Sequence, residues 1–338
     1  MSIPVEKESE LGGSEGRRGA PAAEIALAVR RPFRFRLMVL SHGWYALPPF
    51  RWDDGRRALD VAFRAEGEPV AFRVTSRRDR SEGQALRAAQ IGGAPVGPAA
   101  RREARAILRW VFRLDDDFAP FHRLAAERGE LDFVVREGLG PFLRAPTLFE
   151  EFAKVLLTTN VSWSGTKRMV RNLIDRAGAP VRPWRGGSAA PRLFPNPSAV
   201  VRLGEKGLRE QCGLGYRAPY LYALAAAVRG GDLDLDGFAD PPRGTEELAA
   251  SLASIRGFGP YAVSTLLVSL GRYDRLILDS WIRKTVSDVH FRSRPVTDRA
   301  IERRYAPWGR WKTLACWFDC AWASWLGNAH AAGETPDL

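Results

Sequence analysis

The sequence predicts an α+β protein, an N-terminal antiparallel sheet domain followed by an all-helical domain. Two patterns carry that expectation. FRFRLMVL, RALDVAFRA and PVAFRVTS alternate apolar and polar residues with turn signals between them, the period of strands with one wet face. Beyond Leu114 apolar residues instead recur three and four apart, the period of packed helices. With 338 residues and 45% hydrophobic content, the chain has the material for a sizeable core.

Taken in order, residues 1–28 hold mostly Gly, Ser, Glu and Arg with few large apolar groups, and are expected to be a disordered tail. Residues 29–113 are the sheet domain, closed by a helix around Arg101–Phe112. Residues 114–328 are helical, as in PTLFEEFAKVLLTTNVSWSGTKRMVRNLIDRAG and YRAPYLYALAAAVRGG, and residues 329–338 form a C-terminal tail. The Gly-, Pro- and Ser-rich VRPWRGGSAAPRLFPNPSA reads as a long surface loop between two helices.

A net charge of +12 and a pI near 10.1 suit a polyanionic partner. Only six of the 51 basic residues are lysine. Arginine favours bidentate phosphate contacts, although a biased genomic base composition accounts equally well for the excess. The first residues lack the apolar core of a signal peptide and no segment suits a bilayer span, so a cytoplasmic protein with no membrane association is expected. Three cysteines without a Cys-x-x-Cys are too few for a four-thiolate iron–sulfur cluster. Cys316 and Cys320 can share a helix face, but His330 is too distant in sequence to complete a zinc set, so no side-chain metal site and no cofactor are expected.

In TEELAASLASIRGFGPYAVSTLLVSLG, Leu248, Leu252 and Ile255 form one helical stripe, and Ala262, Leu266 and Leu270 begin another. Between them Gly257-Phe258-Gly259-Pro260 allows a tight turn that presents bare N–H groups at the next helix start, a phosphate-binding arrangement. Phe258 would tuck into the hairpin core while Gly257 and Gly259 admit a DNA backbone. Asp279 follows Tyr261 by eighteen residues (279 − 261) and opens SWIRKTV, which reads as another helix. A carboxylate there is either an ordinary N-cap or a charge held ionised by the helix dipole.

These segments resemble the helix-hairpin-helix DNA glycosylases, and within them the 3-methyladenine DNA glycosylase II branch. The resemblance rests on IRGFGPYA, its spacing to LDSWIRK, the upstream FEEFAKVLLTTNVSWSGTKRMV, and in outline PNPSAV and LREQCGLGYRAPYL. It covers roughly Leu114 to Trp325, and the N-terminal strands resemble the small sheet domain that this branch places before its helices. It implies that Asp279 is the catalytic aspartate and that Tyr261 stands where strand-cutting members carry a Schiff-base lysine. No lysine lies between Lys206 and Lys284, so a monofunctional enzyme using water is expected.

The implied partner is double-stranded DNA containing a damaged base, which is flipped into a pocket lined by Tyr261 and Trp281. Asn160 is the candidate to fill the gap left by that base, or else a helix-end residue. Gly257, Phe258, Gly259, Arg283 and Lys284 are candidate DNA contacts. Trp317 and Trp325 fit a plain core helix. The resemblance also suggests a monovalent cation on hairpin carbonyls, and the protein is expected to be a monomer. An alkylated purine is the expected lesion. An oxidised purine and a non-catalytic lesion reader are the alternatives.

Overall fold

A computed structural model describes residues 23–29, 33–79, 83–187, 189–239, 243–323 and 325. The chain opens with five antiparallel strands in the order β1-β5-β4-β3-β2: β1 (Glu24–Val29), β2 (Arg51–Asp53), β3 (Ala58–Ala65), β4 (Glu68–Asp79) and β5 (Gly83–Gly92). Helix α1 (Phe35–Val39) and a short turn of helix over Gly43–Ala46 lie between β1 and β2. Strands β3 and β4 join through Glu66-Gly67, both at positive φ (49° and 79°), the turn whose twist matches a hairpin.

Strand β1 lies within the segment expected to be a disordered tail. Its burial alternates strictly, with Ile25, Leu27 and Val29 inward. Three apolar residues at period two suffice for an edge strand, but the polar composition of the preceding two dozen residues masked them. The first 22 residues and the tail expected at 329–338 lie outside the described residues.

Helix α2 (Pro98–Val111) starts on a proline and buries Ala104, Leu108 and Val111, one stripe at helical spacing against the sheet. The helical part follows as α3 (Ala119–Arg128), α4 (Asp132–Glu137), α5 (Leu148–Thr158), α6 (Trp163–Ala177), α7 (Pro197–Glu210), α8 (Ala218–Gly230), α9 (Thr245–Ala253), α10 (Pro260–Ser269), α11 (Ser280–His290), α12 (Asp298–Tyr305) and α13 (Lys312–Cys316). A π-helical turn over Trp317–Ala321 continues α13. None of the described helices is long and apolar enough to cross a membrane.

The cores do not divide at residue 113. One runs from Ile25, Val61 and Phe72 in the sheet through Phe112 into Phe152, Leu173, Leu221 and Leu266. The other gathers Phe121, Val286, Ile301, Trp308 and Phe318 from α3 and the last helices. The segment between α6 and α7 is likewise more than a surface loop. Val181 and Leu193 are buried against Ala62 and Ala71 on the outer face of the sheet, with Trp184 packed alongside. Those apolar residues are too widely spaced to show a period.

After a Thr147 cap, helix α5 is buried from Leu148 to Leu157, charged residues included. Lys154 Nζ pairs with Glu150 Oε1 at 2.6 Å, with the two side chains 0% and 4% exposed. Glu151 accepts from Trp44 Nε1 (3.0 Å), the Ala145 amide (2.7 Å) and Ser269 Oγ (2.5 Å). Burying a charge is costly unless an opposite charge or hydrogen bonds offset it, which the ion pair does for Lys154 and Glu150 and the three donors do for Glu151. The paired charges let α5 run through the interior and end at Thr158, on the wall of the cavity described next.

Candidate active site

A cavity of about 970 Å³ opens between the two cores, lined from one side by α5, α6 and α10, from the other by Phe142, the start of α11 and α13, and from the N-terminal part by His42, Gly43 and Trp44. Of the residues singled out in the sequence, Asn160, Gly257, Gly259, Tyr261, Asp279, Trp281 and Arg283 all line it. Their convergence follows from the hairpin: α9 and α10 flank the 254–259 turn, and the chain after α10 returns to start α11 beside it.

Asp279 caps α11, its Oδ1 accepting the Ile282 amide at 2.7 Å. It is therefore both the N-cap and a cavity carboxylate, and the helix start stabilises its negative charge. Tyr261, one residue into α10, donates its hydroxyl to Thr158 Oγ1 at 3.3 Å. Burial pushes its phenol above the ordinary tyrosine value, and the nearby Asp279 carboxylate adds to the rise, so Tyr261 is a neutral hydrogen-bonding group rather than a nucleophile. Trp281 packs against Trp317 with ring centroids 5.8 Å apart.

Trp317 and Trp325, expected in a plain core helix, both line the cavity. Their indoles donate to Ser41 O (3.1 Å) and Leu40 O (3.2 Å), fastening the C-terminal segment to the N-terminal one. Phe258, by contrast, is 4% exposed and packs on Phe152, 5.7 Å between centroids. Its side chain occupies the hairpin core, so any DNA contact at Phe258 would be through its backbone.

The two hairpin glycines differ. Gly257 has φ +98° and a Cβ there would meet the Tyr220 ring at 2.8 Å, whereas a Cβ on Gly259 meets nothing within 4 Å. Gly257 is thus required by the protein's own packing, and only Gly259 lies on open surface. Gly257→Ala should cost about 1–3 kcal/mol through backbone strain, read from denaturant unfolding.

Arg283 lines the cavity but forks onto Asp298 at 2.7 and 3.0 Å. Lys284 is off the cavity, 73% exposed and paired with Asp288. Both are ordinary solvated pairs. Asn160 is exposed at φ +46°, its amide 3.4 Å from the Tyr216 hydroxyl. Arg217 holds this rim by donating to the carbonyls of Thr159 and Asn160, at 3.1 Å each. Tyr216 (47% exposed) and Val161 (37%) stand beside Asn160 as an apolar rim. Neither they nor His42 and Trp44 were evident in the sequence, because contacts across more than fifty residues leave no local period. The exposed Tyr in GLGYRAPY was the one available signal.

The His42 ring lies between those of Trp44 and Phe142, at 5.1 and 5.4 Å and tilted 35° to each. Burial, with Arg113 and Lys154 adding, pushes its pKa down to about 3 from 6.5. The native imidazole refuses a proton that the unfolded chain accepts, so His42 contributes stability above about pH 6.5 that is lost as pH falls towards 3. His42→Gln should flatten that stretch of the stability profile, measured by denaturant melts at pH 7 and pH 5.

No protein-family model matches the sequence, and a search of curated proteins finds no significant match. Solved structures do match. A 3-methyladenine DNA-glycosylase from Archaeoglobus fulgidus aligns at 20% identity and TM-score 0.68 over 87% of this chain and 97% of that one. MBOgg1 in complex with a low-affinity DNA ligand aligns at 17% and 0.67 over 98% and 100%. The apo form of Clostridium acetobutylicum 8-oxoguanine glycosylase/lyase aligns at 16% and 0.61 over 89% and 98%. At these identities the likeness is one of fold: the chain as a whole has the architecture of these solved DNA glycosylase structures.

Proposed function

We propose that the protein is a monofunctional DNA glycosylase that takes a damaged base, an alkylated purine, from duplex DNA into this cavity and hydrolyses its glycosidic bond. The observation that carries the proposal is the Asp279 carboxylate beside Tyr261 and Trp281 in an aromatic cavity, with no lysine among the described lining residues. As the C1′–N bond breaks, positive charge grows on the sugar, and a fixed anion stabilises it. Water forms the new C1′–O bond, Asp279 accepts its proton, and the base departs with the bonding electron pair. A cationic alkylated purine leaves as a neutral base and needs no acid, which suits a cavity whose histidine is held neutral. Trp281 and Trp317 favour such a cation by their π faces.

DNA would approach across Gly259 and Pro260, where the first-turn N–H groups of α10 suit a phosphate. Asn160, Tyr216 and Val161 stand at the rim to occupy the place of the flipped base. The hairpin turn has no carboxylate, so a monovalent cation there would be held by backbone carbonyls alone. An oxidised purine is the second reading, because two of the similar folds belong to MBOgg1 and an 8-oxoguanine glycosylase/lyase.

Duplexes each carrying one lesion (an alkylated purine, 8-oxoguanine, uracil or hypoxanthine) test both readings. Strand breaks that appear only after alkali, on the alkylated duplex, are expected. Breaks on the 8-oxoguanine duplex would select the second reading, and tight binding without breaks would mark a non-catalytic reader. Borohydride should trap no covalent protein–DNA adduct, since Tyr261 cannot form the Schiff base of a lysine. A trapped adduct would overturn the monofunctional assignment.

A further inference from the structure

Helix α11 has chemistry-bearing residues at both ends. Asp279 caps its start, and His290 ends it in a second cluster that the proposed reaction does not use. His290 Nε2 lies 2.7 Å from Asp319 Oδ2, and Cys320 follows directly. One ligating atom from each of His290, Asp319 and Cys320 lies within 4.8 Å of the other two. The Tyr305 hydroxyl donates to Asp319 Oδ2 at 2.8 Å and sits 3.0 Å from Cys320 Sγ. Neighbours on an α-helix diverge by about 100°, yet Asp319 and Cys320 both reach this hydroxyl because they belong to the wide π-helical turn.

We infer that His290, Asp319 and Cys320 bind a divalent transition-metal ion, Zn2+, with water in the fourth position. An imidazole nitrogen, a carboxylate oxygen and a thiolate sulfur form a set that zinc accepts tetrahedrally. The thiolate excludes Mg2+ and Ca2+, which take oxygen ligands. On binding, the Cys320 thiol gives its proton to solvent and the His290 nitrogen takes the metal in place of its bond to Asp319. The charges of Zn2+, thiolate and carboxylate then cancel, which leaves the Arg304 guanidinium, 3.5 Å from Asp319 Oδ2, as an added positive charge beside the site. Tyr305 orients the carboxylate from outside the ligand set. The His290 and Asp319 side chains, 17% and 21% exposed, leave the ion a way in. His330, too distant in sequence to be expected in a zinc set, lies outside the described residues. The histidine that meets Cys320 comes instead from thirty residues upstream, at the end of a different helix. Bound metal would pin α11 and α12 to the segment that sends Trp317 into the cavity.

This inference does not rest on the glycosylase proposal, and its test does not involve DNA. The full chain, free of any affinity tag, is titrated with ZnCl2 against a chromophoric chelator, and separately with Co2+ to detect a thiolate-to-metal charge-transfer band. One Zn2+ per chain and a visible band are expected. Affinity should fall at least about tenfold in Cys320→Ser and in His290→Gln and stay unchanged in Cys212→Ser, whose thiol is buried in the other core. Absence of stoichiometric binding, a Co2+ complex without the band, or binding that both ligand variants retain would overturn the site and leave a plain hydrogen-bond cluster. Because the Co2+ spectrum is taken on the unaltered chain, the test holds even if a variant fails to fold.

Discussion

Asp279→Asn should abolish base release, lowering single-turnover cleavage by at least about 10²–10³-fold, the scale for losing one preorganised charge-stabilising group. The variant isolates charge from structure. Asparagine caps a helix as well as aspartate does, and its side-chain oxygen can keep the 2.7 Å bond from the Ile282 amide. Helix α11 should therefore hold, and Trp281 with it. DNA affinity should be retained or rise, since one negative charge near the phosphates is gone. Asp279→Ala would lose the cap too, at a cost of about 0.5–2 kcal/mol, and confound the two effects. Turnover retained in the Asn variant would remove Asp279 from the chemistry and reduce it to a cap.

The largest loss of stability is expected from Lys154→Ala. It strips Glu150 of the ammonium 2.6 Å away, in a site where neither side chain is more than 4% exposed. Breaking a buried pair from one side costs about 3–5 kcal/mol, a large share of the roughly 5–15 kcal/mol that holds a domain folded. The Phe50 ring 4.9 Å from the ammonium loses its cation as well. Burial already pushes the Glu150 carboxyl above its ordinary value, and Lys154 opposes that rise. Without the lysine, the native carboxyl should hold a proton that the unfolded chain releases, so the variant should lose further stability as pH rises through the carboxylate range. The double variant Glu150→Gln/Lys154→Met should be much milder, since no unpaired charge stays behind. Urea melts of the three chains at pH 5 and pH 7 measure this, and equal losses in the single and double variants would mean that the pair contributes only packing.

These two residues also mark the limits of what the sequence discloses. Asp279 was legible because its signals are local: a cap position, a helix after it, and a Gly-Phe-Gly-Pro hairpin at a fixed distance before it. The strands were legible because one wet face imposes period two. FEEFAK shows the opposite case, since acidic residues and a lysine at helical spacing give no sign of burial, and only the tertiary packing around α5 buries them. The cavity was half legible for the same reason. Tyr261, Trp281 and Asp279 follow from the hairpin, whereas His42, Trp44 and Phe142 join it across contacts of about a hundred residues or more. Trp317 looked like core because an aromatic lining a cavity and an aromatic filling a core have the same spacing.

Strand β1 has a practical consequence for anyone shortening the chain. It is the outermost strand on its side, registered on β5 from Glu24 to Val29, and Arg105 also donates to its Ala26 carbonyl at 2.7 Å. A deletion that stopped at residue 28, where composition alone suggests the tail ends, would strip β5 of its neighbour. Its bare amides and carbonyls would then be a template for edge-to-edge pairing between molecules. The shortened chain would precipitate for reasons unrelated to its chemistry, whereas one beginning at residue 23 would keep its edge covered.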